Sequence, residues 1–124
     1  MLVALIPARG GSKGVKNKNL RRISGSSLVQ IATNFALENE SIDRVIVSTD
    51  SIEIASEFLV ASKKSEFLGL AEGKSMLAKE GLTLHKRRSV HADDKSLTVE
   101  TVFDVIENQG LGLNDWILLL QPTS

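Results

Sequence analysis

The chain has 124 residues, of which 42% are hydrophobic, enough to bury one core, with nothing in its length that calls for a second complete domain. It has no cysteine, which excludes a disulfide framework and a cysteine-ligated zinc site, and its two histidines are too few for a histidine-rich metal cluster. The net charge of zero conceals an asymmetry: residues 1 to 37 carry six basic and no acidic side chains, and the rest carry nine basic against fifteen acidic ones.

Leu2 to Ile6 reads as a buried strand, interrupted by Pro7 and Arg9 far short of the roughly 20 apolar residues a membrane span needs. No basic region precedes it as in a signal peptide, so a cytoplasmic location and no membrane partner are expected. Directly after it, Arg9-Gly10-Gly11-Ser12-Lys13-Gly14-Val15-Lys16-Asn17-Lys18-Asn19 forms a glycine-rich basic loop. Its glycines let the backbone bend and approach an anion, and Arg9, Lys13, Lys16 and Lys18 supply charge, a combination suited to a triphosphate. Because these cations are interleaved with glycine and asparagine and aromatics make up only 4% of the chain, a compact polyanion is expected and a nucleic acid is not.

Leu28, Ile31, Ala32, Phe35 and Ala36 recur at helical spacing, with Ser26 or Ser27 as the cap. Arg44 to Ser48 gives a second buried strand, and Ser51 can cap a helix with the stripe Ile54, Ala55, Phe58 and Leu59. Residues 60–85 carry scattered leucines among lysine, glutamate and glycine, and read as a helix extension or a small irregular insertion. Val99, Val102, Phe103 and Ile106 mark a further helix, and Trp116 to Leu120 a third strand. Apolar strands alternating with amphipathic helices predict an α/β fold: a mainly parallel sheet with helices on both faces, joined by right-handed crossovers. Ligands of such sheets sit beyond the carboxyl ends of the strands, where Arg9 to Lys18, Thr49-Asp50 and Gln121 to Ser124 would converge.

Three blocks together resemble the acylneuraminate cytidylyltransferases: Ile6 to Leu20, Ser48-Thr49-Asp50-Ser51 with Ile54-Ala55, and Leu118-Leu119-Leu120-Gln121-Pro122-Thr123-Ser124. The resemblance implies a Rossmann-like nucleotidyltransferase fold of which 1–124 is the N-terminal, nucleotide-binding part. It implies an enzyme that joins a sialic-acid-like sugar acid to CMP, using CTP and Mg2+ and releasing pyrophosphate. On the family's pattern, Arg9, Ser12, Lys18 and Asn19 hold the triphosphate together with Gly10 and Gly11, Lys13 is an additional contact, and Arg9 and Lys18 act in catalysis. Arg87 and Thr98 fall where the family has nucleotide-site residues, although Arg88 replaces the family's usual proline. Gln121, Thr123 and Ser124 match the sugar-acid-binding stretch.

The same resemblance implies a homodimer for the longer family member, and places the magnesium-holding aspartates in a further portion. On that basis the short chain alone is expected to be a poor enzyme or inactive, and a nucleotide-binding module without catalytic activity is the alternative reading.

Several residues have plainer readings. Thr98 fits an early-turn position of its helix, Asp50 fits a helix N-cap, and Gln121 to Ser124 fit a polar turn. Asp93-Asp94 reads as a solvated loop, because adjacent carboxylates diverge and rarely chelate together, and His85 and His91 read as surface positions. Gly69 to Ser75 nearly spells a phosphate-binding P-loop, but it is one residue too short between its glycines and follows no apolar strand. The spacing of Gly10, Gly11 and Gly14 does not give the dinucleotide pattern G-x-G-x-x-G.

Overall fold

A computed structural model describes residues 1–8, 22–23, 26–88 and 94–121. In chain order the elements are β1 (Leu2–Ala8), β2 (Arg22–Ile23), β3 (Ser26–Ser27), α1 (Leu28–Glu38), β4 (Arg44–Thr49), α2 (Ile52–Ser56), α3 (Ala61–Leu68), β5 (Ser75–Lys79), β6 (Leu82–Lys86), α4 (Asp94–Gln109) and β7 (Trp116–Leu119). The main sheet has the order β5-β6-β4-β1-β7, and β2 pairs with β3 in a separate two-stranded ribbon. Strands β6, β4, β1 and β7 run parallel and only β5 is antiparallel, so the α/β, mainly parallel architecture expected from the sequence is present.

Side chains alternate across the sheet, which divides the core in two. Ala4, Ile6 and Ala8 of β1 and Val45 and Val47 of β4 pack with Val29 and Ala36 of α1, Ile54 and Ala55 of α2 and Phe67 of α3. Val3, Leu5 and Ile46 face the other way, onto Val105 of α4. Helices therefore cover both faces, α1 to α3 on one and α4 on the other.

The N-terminus of α1 is closed by a capping box. Ser27 Oγ accepts from the Gln30 amide at 3.1 Å, and Gln30 Oε1 accepts from the Ser27 amide at 3.3 Å. Ser27 Oγ also donates to Glu57 Oε2 at 3.0 Å, tying the cap to the segment that follows α2. Ser27→Ala is expected to cost about 1 kcal/mol of stability, typical of a lost N-cap, measured as a lower urea midpoint at unchanged slope.

Three helices depart from the sequence expectation. In α1 the buried side chains are Val29, Thr33 and Ala36, whereas Ile31 and Phe35, expected in the stripe, face outward, with Phe35 61% exposed. The small side chains Thr33 and Ala36 let the helix lie close on the sheet, and the bulkier ones flank it. In α4 the buried face runs through Thr101 and Val105, and Phe103, expected inward, is exposed. Helix α2 stops at Ser56, so Phe58 and Leu59 belong to the following turn, although both still pack on the core.

Residues 60–85, expected as a helix extension or insertion, contain α3 and the hairpin β5–β6. Gly81 turns that hairpin at φ +83°, a backbone region that favours glycine. Strand β6 pairs with β4 in parallel register from Val45↔Leu82 to Thr49↔Lys86, which makes it an integral strand of the sheet.

At the opposite edge, among the described residues β7 pairs only with β1, and it presents Trp116, Leu118 and Leu119 to solvent, with Trp116 74% exposed.

Candidate nucleotide-binding rim

Four parallel strands end on one side of the sheet, at Ala8, Thr49, Lys86 and Leu119. The first of these ends leads into residues 9–21. Arg9, Gly10, Gly11, Ser12, Lys13, Lys18 and Asn19 therefore follow β1 but lie outside the described residues, as do His91, Asp93, Thr123 and Ser124.

The end of β4 is built by short polar contacts. Thr49 Oγ1 accepts from the Ser51 amide at 3.1 Å, and Ser51 Oγ caps α2 through the Ile54 amide at 3.3 Å. The cap is thus Ser51, and Asp50, exposed beside it, is not the capping residue.

Arg87 continues directly from β6, and its amide donates to the Thr49 carbonyl at 3.1 Å, extending the parallel ladder to the rim. Its side chain is only 5% exposed. A guanidinium at that depth is not ordinary solvated charge. The preceding Lys86 turns back onto the end of α3, where Nζ donates to the carbonyls of Phe67 at 3.2 Å and Leu68 at 3.0 Å and lies 5.4 Å from the Phe67 ring centroid. A cation there satisfies two terminal helix carbonyls and complements the helix dipole.

Gln121, exposed, follows β7. Arg87 and Gln121 extend strands separated by β4 and β1, three strand spacings or roughly 14 Å. The rim thus places Thr49 and Arg87 in contact and sets Gln121 well apart, with the end of β1 at Ala8 between them. Thr98 lies in the second turn of α4, and its side chain is outside the described residues.

Sequence reasoning missed a polar cluster beneath this rim. His85, expected at the surface, is fully buried. Its register opposite Ser48 on the face toward α4 brings Ser48 Oγ within 2.7 Å of His85 Nδ1. Nε2 lies 3.9 Å from Asp104 Oδ2, and Asp104 in turn holds Arg88 in a fork, with Nε at 2.8 Å and Nη2 at 3.2 Å.

Burial pushes the His85 pKa below its ordinary 6.5; Asp104 and the Gly73 carbonyl offset part of this, and Arg88 and Arg87 add to it. The Asp104 carboxylate, through its hydrogen bonds and its charge, raises the Arg88 pKa above the usual arginine value. The signal available in the sequence was the alternation Leu82-Thr83-Leu84-His85, which becomes readable only once β6 is recognised as a strand.

The segment resembling a P-loop closes the same cluster. Gly69 ends α3, and Gly73, at φ +83°, donates its amide to the Lys86 carbonyl at 2.6 Å while its own carbonyl accepts from Asn108 Nδ2 at 2.6 Å. A Cβ at Gly73 would collide with the Arg88 guanidinium. These glycines serve a tight return into β5, with no strand leading into a phosphate cradle. A separate groove of about 310 Å³, lined by Gln30, Asn34, Glu57, Phe58, Leu59, Val60 and Lys79, shares no residue with the rim.

Among the described residues no group of three or more histidine, aspartate or glutamate side chains gathers to hold a metal ion, and no helix is long and apolar enough to cross a membrane.

Residues 3–69, running from β1 to just past α3, match the sequence profile described as "Cytidylyltransferase". The chain is similar to an N-acylneuraminate cytidylyltransferase of Escherichia coli O18:K1:H7, with 31% identity over 99% of this chain and 24% of the relative. It is also similar to a CMP-N,N'-diacetyllegionaminic acid synthase of Legionella pneumophila, with 33% identity over 99% of this chain and 46% of the relative. It therefore spans between about a quarter and a half of the length of these relatives. Among solved structures, a CMP:2-keto-3-deoxy-manno-octonic acid synthetase complexed with CTP superposes with a TM-score of 0.60 at 22% identity, over 98% of this chain and 39% of that one. That likeness is one of fold, and it agrees with the parallel sheet and its two helical layers. With more than half of its residues inside the matched profile, the chain belongs to the cytidylyltransferase family.

Proposed function

We propose that the chain binds CTP at the carboxyl rim and supplies the nucleotide-binding part of an enzyme that transfers CMP to a sialic-acid-like sugar acid. The observation that carries this reading is the family match over residues 3–69, which includes the basic loop leaving β1 at the rim. In the proposed reaction the sugar's anomeric hydroxyl attacks the α-phosphorus of CTP and pyrophosphate departs.

The roles fall to side chains and backbone amides that meet the shifting charge. Arg9 grips two phosphate oxygens, and Lys18 supplies a point charge. Gly10, Gly11, Ser12, Lys13 and Asn19 line the turn, Arg87 and Thr98 complete the nucleotide contacts, and Gln121, Thr123 and Ser124 receive the sugar acid. Magnesium is proposed to accompany the triphosphate. On the family's pattern the aspartates that would hold it belong to a further portion. A cytoplasmic location and a homodimer of the longer protein belong to the same proposal.

A second reading is a nucleotide-binding module without turnover. Two assays on the 124-residue chain separate the two: CTP titration, and pyrophosphate release with N-acetylneuraminate and Mg2+. Binding with release supports the enzyme, binding alone supports the module, and absence of both sinks the proposal. Lys18→Ala is expected to weaken CTP binding more at low salt than at high salt, because an exposed charge pair is screened.

A further inference from the structure

We propose that the outer edge of β7 is an interface at which two copies of this chain pair, their β7 strands running antiparallel about a two-fold axis at Leu118, so that the two sheets join into one. This goes beyond the homodimer proposed for the longer protein, because it assigns the contact to a named strand of this chain, and it does not depend on CTP binding.

The two edges of the sheet are built differently. At one edge, β5 carries devices that discourage strand addition. They are a register shift between Leu77 and Lys79, the exposed Lys79 itself, and the Lys63 ammonium, which donates to the Leu77 carbonyl at 3.2 Å. Among the described residues β7, at the other edge, has no comparable guard. The run Trp116 to Gln121 contains no charge and no proline, and Trp116, Leu118 and Leu119 are exposed. Apolar side chains on both faces are the pattern of a strand with neighbours on each side.

The backbone sets the register. The Trp116 amide donates to the Met1 carbonyl at 2.8 Å and the Leu120 amide to the Leu5 carbonyl at 2.9 Å. Alternate residues of a strand turn their backbone groups to the same side, so Ile117 and Leu119 direct theirs outward, away from β1. Pairing about Leu118 sets Ile117 of one copy opposite Leu119 of the other, in two symmetric pairs that each exchange both N–H···O bonds. A second copy thus offers a matching donor for every acceptor, as a two-fold contact requires.

Side chains agree with that register. Leu118 meets its own counterpart and Trp116 meets Leu120 of the other copy, on the face shared with Ala4. Asp115 falls opposite the neutral Gln121, so no like charges meet. Its carboxylate is also engaged within its own chain, with Oδ1 3.2 Å from the Met1 ammonium and Oδ2 accepting from the Gly112 amide at 2.8 Å. On α1, Gln30 and Asn34 turn toward Lys79 on the β5 side, which leaves the exposed Ile31 and Phe35 outward and toward the β7 side. Together with Trp116, Leu118 and Leu119 they offer on the order of 500 Å² of apolar surface per copy, the size of a weak, reversible contact.

The test is sedimentation of the 124-residue chain, without nucleotide, across a concentration series. Emission of Trp116, the sole tryptophan, and backbone amide exchange are recorded alongside. A monomer–dimer equilibrium is expected, in which dimer formation shifts the Trp116 emission to the blue and slows exchange at Ile117 and Leu119. Leu118→Lys is expected to raise the dissociation constant at least about tenfold, because it removes an apolar pair and sets like charges directly opposite. Leu118→Glu is expected to do the same. An equimolar mixture of the two variants is expected to dimerise again, since opposite charges then meet at the axis. Leu77→Lys, the same change on the other edge strand, is expected to alter the constant less than about twofold.

A chain that stays monomeric, a dimer that Leu118→Lys leaves intact or that Leu77→Lys abolishes, a mixture that stays monomeric, or open-ended aggregates in place of a dimer overturns the proposal. So does slow exchange at Ile117 and Leu119 in the monomer, which would mean that a segment of the same chain covers the edge. Should the Leu118 variants not fold, the concentration dependence of Trp116 emission and of exchange at Ile117 and Leu119 in the wild type decides in the same way. CTP titration of the same samples reports on the rim separately: its failure leaves the interface standing, and failure of the dimer leaves the reading of the rim standing.

Discussion

Phe67→Ala is expected to destabilise the chain by about 3–5 kcal/mol, the range for removing a buried aromatic side chain from a core that relaxes only in part. That is a large fraction of the about 5–15 kcal/mol that holds a typical domain together. Phe67 is among the largest fully buried side chains, and it packs with β5 and β6 residues Met76, Leu82 and Leu84. Lys86 lies over its ring and donates to its carbonyl, so the loss extends to the anchor at the end of β6. The same change at exposed Phe35 or Phe103 is expected to stay within about 0.5 kcal/mol. Urea unfolding of the three variants checks this, and equal effects at all three positions would contradict the described core.

The second large effect concerns ligand binding. Arg87→Met keeps an unbranched stem in a nearly buried position and removes the guanidinium fork. A charge-assisted hydrogen bond contributes about 1.5–3 kcal/mol, so CTP affinity is expected to fall by about 10- to 150-fold. Arg87→Lys is expected to recover little, because an ammonium cannot grip two oxygens in one plane. Calorimetric titration of the folded variants measures this. Unchanged affinity in a folded Arg87→Met protein would remove Arg87 from the site.

The sequence was most legible where burial is decided by local pattern. Strands β1 and β4 read correctly because their side chains are apolar on both faces, as a central parallel strand requires. Ser27 and Ser51 read correctly as caps because a hydroxyl before a helical stripe has few other uses. Strands β5 and β6 were illegible for the opposite reason. In β5, Leu77 is exposed and Lys79 alternates with Ala78, and a register shift between Leu77 and Lys79 breaks the pairing with β6.

In β6, His85 is buried where Ser48 near the end of β4 and Asp104 of α4 come close from distant parts of the chain. Ile31, Phe35 and Phe103 show the same limit: helical spacing identifies the helix, but tertiary contact decides how it is rotated. Arg87, a candidate taken from the family pattern, lies at the rim beside Thr49, whereas the Ser48, His85 and Asp104 cluster joins three separate segments that no local motif connects.

The most direct measurement is the affinity of the 124-residue chain for CTP, set against NAD and against the Arg9→Ala, Lys18→Ala double variant, at two salt concentrations. A triphosphate gripped by the loop after β1 predicts saturable CTP binding that exceeds NAD binding, weakens as salt rises, and collapses in the double variant. No CTP binding, a preference for NAD, or a double variant that binds as well as the wild type would contradict it.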